Sequence, residues 1–180
     1  MHHNVHVKKA ARILVGLECG YSCSYCCNKL PEVKARFKKL KWKDIPATIA
    51  QYDIINISGG EPLHPRNYLT TLPLIHAVKS QHKKLFVYTN LSHPDVEYLC
   101  PFVDGWNIGY HPSQTTWLDF CKRVNYFLQQ DPKGVRVQVE FGQEWQIEKM
   151  LLPNTVTIKT WIRNQCFVPN ETIYLLEEEE

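Results

Sequence analysis

The sequence predicts an α/β protein in which a mostly parallel sheet is covered by helices. Six short apolar segments alternate along the chain with segments of helical periodicity, and this alternation is typical of parallel strands joined by helical crossovers. At 180 residues, with 44% hydrophobic and 22% charged residues, the chain has the length and composition of one ordinary globular domain. We therefore expect a single domain over residues 1–180, with its core at about 10–165 and an acidic tail at 177–180.

The predicted strands are short runs of apolar and β-branched residues. They are Arg12–Glu18, Ile54–Ser58, Leu85–Asn90, Trp106–His111, Val135–Phe141 and Thr155–Ile162. The first strand leads into a cysteine-rich loop, and the second ends at two adjacent glycines. We find no internal repeat and no linker that would divide the chain.

The predicted helices lie between the strands and carry apolar residues at spacings of three and four. They are Pro31–Trp42, part of Arg66–His82, Pro94–Phe102, Ser113–Gln130 and Trp145–Leu152. Pro73 would kink a helix interior, which leaves the start of the second helix open. The fourth helix has the clearest pattern, because its apolar side chains form one stripe. The stripe consists of Trp117, Phe120, Cys121, Val124, Phe127 and Leu128.

Three of the seven cysteines, Cys19, Cys23 and Cys26, lie within eight residues. Thiolates this close in sequence can turn towards one centre if the loop wraps around it. Structural zinc sites use four ligands, usually as two separated pairs, and iron–sulfur clusters are also held by Cys thiolates. Three thiolates on a four-iron cluster would leave one iron open to a substrate or cofactor. Zinc and disulfides remain alternatives for this spacing taken alone.

The remaining cysteines do not indicate a secreted disulfide framework, because the total is odd and Cys27 directly follows Cys26. We interpret Cys27 as a bystander, with a spare cluster ligand as the alternative. Cys100 and Cys121 lie on apolar helix faces and should be core residues, and Cys166 is taken as a bystander. No apolar run approaches the roughly 18 residues that span a membrane, and the amino terminus has no signal-peptide core. We expect a cytoplasmic protein.

A second motif, Gly59-Gly60-Glu61-Pro62, follows the second predicted strand. Two glycines allow the backbone to approach a ligand closely, and a carboxylate suits an ammonium group. An ordinary turn is the alternative interpretation of this motif.

Together the two motifs resemble the radical S-adenosylmethionine (radical SAM) superfamily. The resemblance covers about residues 10–165 and implies a partial (β/α)6 barrel close to a minimal core. It implies that Cys19, Cys23 and Cys26 hold a [4Fe–4S] cluster whose open iron chelates SAM. It further implies that Tyr25 lies against the adenine and that Gly59, Gly60 and Glu61 bind the methionine amino group. The resemblance also implies that an electron from a flavodoxin- or ferredoxin-type donor splits SAM to a 5′-deoxyadenosyl radical, which abstracts hydrogen from the substrate. A non-catalytic zinc or iron–sulfur module is the competing interpretation.

Alternation along the strands predicts a polar face, which we assign to the barrel lumen rather than to solvent. Its substrate-side candidates are Arg136, Glu140 and Lys159. Asn90 and His111 end their strands, and the resemblance implies that polar residues there bind the carboxylate and ribose of SAM. The family's G-x-I-x-G-x-x-E pattern is absent near the fifth strand, so no adenine pocket is assigned on that side.

The net charge is +3, and basic residues crowd the segment after the cysteines. They are Lys34, Arg36, Lys38, Lys39, Lys41 and Lys43. This segment is either a solvated helix face or a surface that attracts phosphate beside the active site. A phosphate-attracting surface favours a nucleoside, nucleotide or nucleic-acid base as substrate. An activase that acts on a partner enzyme and a peptide-modifying enzyme are the alternatives.

Overall fold

The computed structural model describes residues 8–24, 26–91, 96–130, 134–140, 151–161 and 171–177. Eight strands lie in these ranges: β1 (Ala10–Leu14), β2 (Phe37–Leu40), β3 (Ile54–Ser58), β4 (Lys84–Thr89), β5 (Gly105–Gly109), β6 (Val135–Glu140), β7 (Thr157–Trp161) and β8 (Thr172–Leu176). They form one sheet in the order β2-β8-β1-β3-β4-β5-β6-β7, and every neighbouring pair is parallel. The predicted α/β class and parallel sheet are confirmed, and the sheet is consistent with a partial barrel. The predicted number of strands, six, is wrong by two.

The helices are shorter than predicted at several points. They are α1 (Pro31–Lys34), α2 (Ile45–Ala50), α3 (Pro65–Ser80) and α4 (Trp117–Gln130), with 3₁₀ turns at Cys27–Lys29, Trp42–Asp44 and Val96–Phe102. Helix α3 starts at Pro65 and continues through Pro73. The predicted helix Trp145–Leu152 falls mostly outside the described residues. Among the helices that the structure describes, none is long and apolar enough to cross a membrane.

Strand β2 replaces most of the helix that was predicted over Pro31–Trp42. The prediction rested on apolar residues three and four apart, but Phe37 and Leu40 are an odd number of residues apart. In a strand such residues point to opposite faces. Phe37 packs with Leu14 and Ile173 on one face, and Leu40 joins the main core on the other. A spacing of three therefore serves a strand buried on both sides as well as a helix.

Strand β8 was missed because four glutamates follow it and made the segment resemble a frayed end. It pairs with β1 on one side and with β2 on the other, and its Ile173 and Leu176 are buried. It lies beyond the expected limit of the core at residue 165. Glu177 donates its backbone N–H to the carbonyl of Leu40 at 2.9 Å, and its carboxylate lies 2.8 Å from Lys39 Nζ.

The main core lies between the sheet and the helices, as the alternation predicted. Val135, Val137 and Val139 of β6 are buried in it, whereas Arg136 of the same strand is exposed on the opposite face. The predicted stripe of α4 is confirmed, because its first five members are buried and Leu128 packs against them. Both Cys100 and Cys121 are core residues, as expected.

Candidate functional site

The cysteine loop, residues 16–28, leaves the carboxyl end of β1 and carries the three clustered cysteines. Cys19 is exposed, Cys23 is buried, Cys26 is half-buried, and all three are free thiols. Cys26 donates its N–H to the carbonyl of Cys23 at 3.3 Å, so these two cysteines share one turn. The neighbouring Cys27 is engaged in a disulfide. The loop therefore offers the three predicted thiols and not a fourth.

Electrostatics place the three thiols near one another. Burial raises the pKa of Cys19, the Tyr21 N–H opposes that rise, and the charges of Glu61, Cys23 and Cys26 add to it. Within the described ranges, no three His, Cys, Asp or Glu side chains are placed to hold a single metal ion. A four-iron cluster has a different requirement, because each thiolate binds its own iron. Three neighbouring, separate thiols fit a cluster better than a single zinc ion.

His111 lies directly against one of these cysteines. Its Nδ1 is 3.4 Å from Cys23 Sγ, and its ring meets the Tyr21 ring edge-on, with 5.3 Å between centroids. Arg123 of α4 donates to the Tyr21 hydroxyl at 3.5 Å. Burial, with a smaller contribution from the Arg123 charge, lowers the pKa of His111 to about 4. The imidazole is therefore neutral at physiological pH.

The two glycines of the second motif allow the end of β3 to pass against the cysteine loop. Gly60 donates to the Gly16 carbonyl at 2.9 Å, and Glu61 donates to the Glu18 carbonyl at 2.8 Å. A Cβ at Gly60 would overlap the carbonyl oxygens of Leu17 and Glu18. Gly59 has a φ of +150° and lies as close to Gly16. The close approach expected for a ligand is thus made by another part of the same chain.

Two asparagines that the sequence analysis did not single out stabilise this crossing. Asn67 of α3 donates from Nδ2 to the carbonyls of Glu18, at 3.0 Å, and Glu61, at 2.8 Å. Asn28 donates to the Gly59 carbonyl. No local pattern marks these residues, because each bonds to a segment distant in sequence. They hold the cysteine loop and the Gly59-Gly60-Glu61 turn as one unit.

Glu61 is the most buried acid at the site, with 2% of its surface exposed. Its carboxylate accepts the Leu63 N–H at 2.9 Å, the Thr89 hydroxyl at 2.6 Å and the Asn90 N–H at 2.7 Å. Burial raises the pKa of Glu61 to about 7, although these three hydrogen bonds lower it. In the part of the chain that the structure describes, no cation pairs with it. A buried carboxylate of this kind is suited to a ligand ammonium group.

Asn90 supplies a second indication that a ligand belongs here. It follows β4, is 4% exposed, and its side-chain Oδ1 has no hydrogen-bond donor among the described residues. A buried acceptor without a partner costs about 1–3 kcal/mol, and a ligand N–H or O–H would remove that cost. SAM carries both an ammonium and ribose hydroxyls, so Glu61 and Asn90 fit this cofactor.

The remaining predicted site residues are only partly brought together. Tyr25 lies outside the described residues, and of Glu140 only the strand backbone is described. Lys159 pairs in register with Gln138, which donates to Asn107 at 3.4 Å. Arg136 lies four residues before the carboxyl end of β6, so at about 3.3 Å per residue it is roughly 13 Å from that edge.

A buried ion pair that the sequence did not predict spans the lumen face of the sheet. Arg12 Nε lies 3.0 Å from Glu171 Oε2, and Asn56 donates to Glu171 Oε1 at 2.6 Å. The Arg12 guanidinium also lies 4.0 Å from the centroid of the Tyr88 ring. The lumen face is therefore polar in its middle, as the alternation predicted.

Part of the chain matches a known protein family. Residues 11–98 match the sequence profile of a family described as a 4Fe-4S single cluster domain. The matched region contains the cysteine loop, the Gly59-Gly60-Glu61 turn and Asn90, and it ends before His111. A comparison with curated proteins finds no match.

Proposed function

We propose that this chain, a radical SAM enzyme of the radical SAM-type family of 4Fe-4S single cluster domains, acts on a nucleotide or nucleic-acid base. We assign cluster binding to Cys19, Cys23 and Cys26, and SAM binding to Glu61 and Asn90. The cluster and SAM would supply one-electron chemistry for abstracting hydrogen from the substrate. The family membership favours this enzyme over the non-catalytic metal module.

The protein's own residues have three tasks in this proposal. The cysteine loop would hold the cluster through its three free thiols. Glu61 pairs with the SAM ammonium, because its buried carboxylate has hydrogen-bond donors but no cation among the described residues. Asn90 Oδ1 accepts a hydrogen bond from an ammonium or a ribose hydroxyl. These contacts orient SAM at the carboxyl edge of the sheet, where α/β barrels carry their chemistry.

The observation that carries the substrate proposal is a basic stripe of exposed lysines. The stripe is a run in the sequence, over α1, β2 and the turn after it, and consists of Lys34, Lys38, Lys41 and Lys43. Lys39 is left out because it pairs with Glu177. The stripe follows the cysteine loop in the sequence, and its strand β2 is separated from β1, which leads into that loop, by β8 alone. Exposed cations of this kind attract phosphates.

The lumen supports the same substrate class. Gln138 lies in register with Lys159 and donates to Asn107, and together these three side chains offer amide donors and acceptors and one cation. Phe86 and Tyr88 of β4 share this face of the sheet. A planar base with polar edges could stack on these rings and bond to these amides.

Lysines on an edge strand also discourage pairing between sheets, so the stripe needs a direct test. We would measure the anisotropy of labelled single- and double-stranded DNA and RNA with the reconstituted enzyme at several salt concentrations. Lys34, Lys38 and Lys41 would be changed together to Gln. The matched control changes Lys8, Lys84 and Lys122, which are also exposed.

Each phosphate contact contributes a log–log salt slope of about −0.7 to −0.9, so the stripe variant should flatten the slope by roughly 2 to 3 units. The control variant should leave it unchanged. Binding that is weak and flat across salt would exclude a polymer substrate. Titration with free nucleotides would then distinguish a nucleotide substrate from a partner-protein substrate. An enzyme that acts on a partner protein would bind neither nucleic acid nor free nucleotides.

A further inference from the structure

The imidazole of His111 fits between Cys23 and the backbone of Gly109. His111 follows β5, and Gly109, the last residue of that strand, leaves the space beneath the ring. A Cβ at position 109 would lie 2.9 Å from His111 Nε2. On its other side Nδ1 lies 3.4 Å from Cys23 Sγ. The ring can therefore point Nδ1 at the cysteine, because Gly109 has no side chain to collide with Nε2 on the other side.

Contacts from two other segments fix the orientation of the ring. Tyr21 of the cysteine loop meets it edge-on, at an interplanar angle of 73°, and Arg123 of α4 holds the Tyr21 hydroxyl. The Tyr21 N–H also points to Cys19 Sγ at 3.4 Å. The Tyr21 and His111 pair thus places one N–H donor group near each of two thiols.

We propose that His111 donates its Nδ1–H to the Cys23 thiolate and thereby raises the reduction potential of the cluster. Without iron the Cys23 thiol can donate to Nδ1. Once the sulfur is a thiolate it can only accept, and the ring then donates from Nδ1, the nitrogen that faces it. This inference rests on the proposed assignment of Cys23 as a cluster ligand, and it makes His111 a positioning residue for that ligand rather than a SAM contact.

The direction of the effect follows from charge. Reduction adds one negative charge to the cluster and its thiolates, and a hydrogen bond to a ligand sulfur stabilises that charge. Hydrogen bonds to cluster sulfurs are among the features that set cluster potentials. Because Cys23 is buried, water cannot easily replace a lost donor. Removal of His111 should therefore make the cluster harder to reduce.

The test is a redox titration followed by EPR on reconstituted protein without SAM. His111→Leu should make reduction about tenfold less favourable, given the usual strength of one hydrogen bond, which for one electron is a downward shift of about 59 mV. His111→Gln retains an amide donor and should recover much of the shift. The matched control, His76→Leu, removes a histidine that packs on Phe102 from the outer helix α3 and should leave the potential unchanged.

An unchanged potential in a fully loaded His111→Leu protein would overturn the inference. If His111→Leu does not assemble a cluster, the inference is tested on the wild-type protein instead. Pulsed EPR on the reduced cluster with ¹⁵N-labelled histidine should show a coupled histidine nitrogen, and its absence would overturn the inference as well. Cys23→Ala distinguishes failure of the ligand assignment from failure of the role of His111. If Cys23→Ala retains the cluster, Cys23 is not a ligand. If Cys23→Ala loses the cluster but His111→Leu leaves the potential unchanged, only the role of His111 is refuted.

Discussion

The Glu61 carboxylate accepts the backbone N–H of Asn90 at 2.7 Å, which joins the turn after β3 to the end of β4. The same carboxylate accepts the Thr89 hydroxyl from β4, while its own backbone N–H bonds to the cysteine loop. One residue thus connects the three segments that surround the proposed SAM site. Changes at Glu61 should therefore affect both SAM binding and the stability of the protein, in ways that can be separated.

Replacing any one of Cys19, Cys23 or Cys26 with Ala should abolish SAM cleavage, because each change removes an iron ligand. Iron and sulfide per folded monomer and 5′-deoxyadenosine release under reductant would measure this. Cys100→Ala and Cys121→Ala are the controls, since both side chains belong to the core, and they should retain near wild-type iron. Loss of the cluster in Cys27→Ala but not in Cys26→Ala would show that the ligand assignment is wrong.

Glu61→Gln should weaken SAM binding while the cluster still assembles, because the carboxylate pairs with an ammonium group and not with iron. Loss of one partner from a buried charge pair costs roughly 2–5 kcal/mol, so affinity should fall about 30-fold or more. EPR titration of the reconstituted variant with SAM would measure the dissociation constant. If Glu61→Gln binds SAM as tightly as the wild type does, the Gly59-Gly60-Glu61 motif is only a structural turn.

The raised pKa of Glu61 predicts how the stability of the metal-free protein depends on pH. Its folded pKa of about 7 exceeds the ordinary value of 4.5, so the folded state binds the proton more tightly than the unfolded state. This contribution to stability is complete below pH 4.5 and is lost as the pH rises through 7. The full difference is about 3 kcal/mol, at 1.36 kcal/mol per pKa unit.

Urea unfolding at pH 5 and pH 8 would measure this loss. Other groups also titrate in that range, so the informative quantity is the pH-dependent difference between wild type and Glu61→Gln. That difference should shift in favour of the variant at pH 8. A difference that is constant with pH would mean that Glu61 is not protonated in the folded protein near neutrality.

Gly60→Ala should destabilise the protein and disturb cluster assembly, because its Cβ would overlap two backbone carbonyl oxygens of the cysteine loop. Overpacking of this kind typically costs about 1–3 kcal/mol, and backbone atoms cannot move aside as a side chain can. Gly20→Ala is a matched control within the loop, since its Cβ would meet nothing within 4 Å. Denaturant midpoints and iron content would be measured for both variants. Equal midpoints and equal iron content would contradict the close contact between Gly60 and the cysteine loop.

The sequence was most informative where function depends on local spacing. The cysteine loop, the Gly59-Gly60-Glu61 turn and the central strands all follow from residues close in sequence. Strands β2 and β8 could not be found that way, because their partners are distant in sequence: β2 pairs with β8, Phe37 opposite Ile173 and Leu40 opposite Leu176, and β8 pairs also with β1. The contact between His111 and Cys23 joins residues 88 apart, and only the folded sheet shows that this histidine faces a cysteine.

The Arg12–Glu171 pair joins residues 159 apart in sequence, and this separation has a consequence for biosynthesis. Strand β1 can pair with β3 early in translation, but its other edge stays open until residues 172–176 leave the ribosome. Such distant pairings form slowly and leave strand edges exposed in the meantime. The cysteine loop begins two residues after β1, so it gains its final support only after β8 is in place. Iron loading of this protein should therefore follow the emergence and pairing of β8.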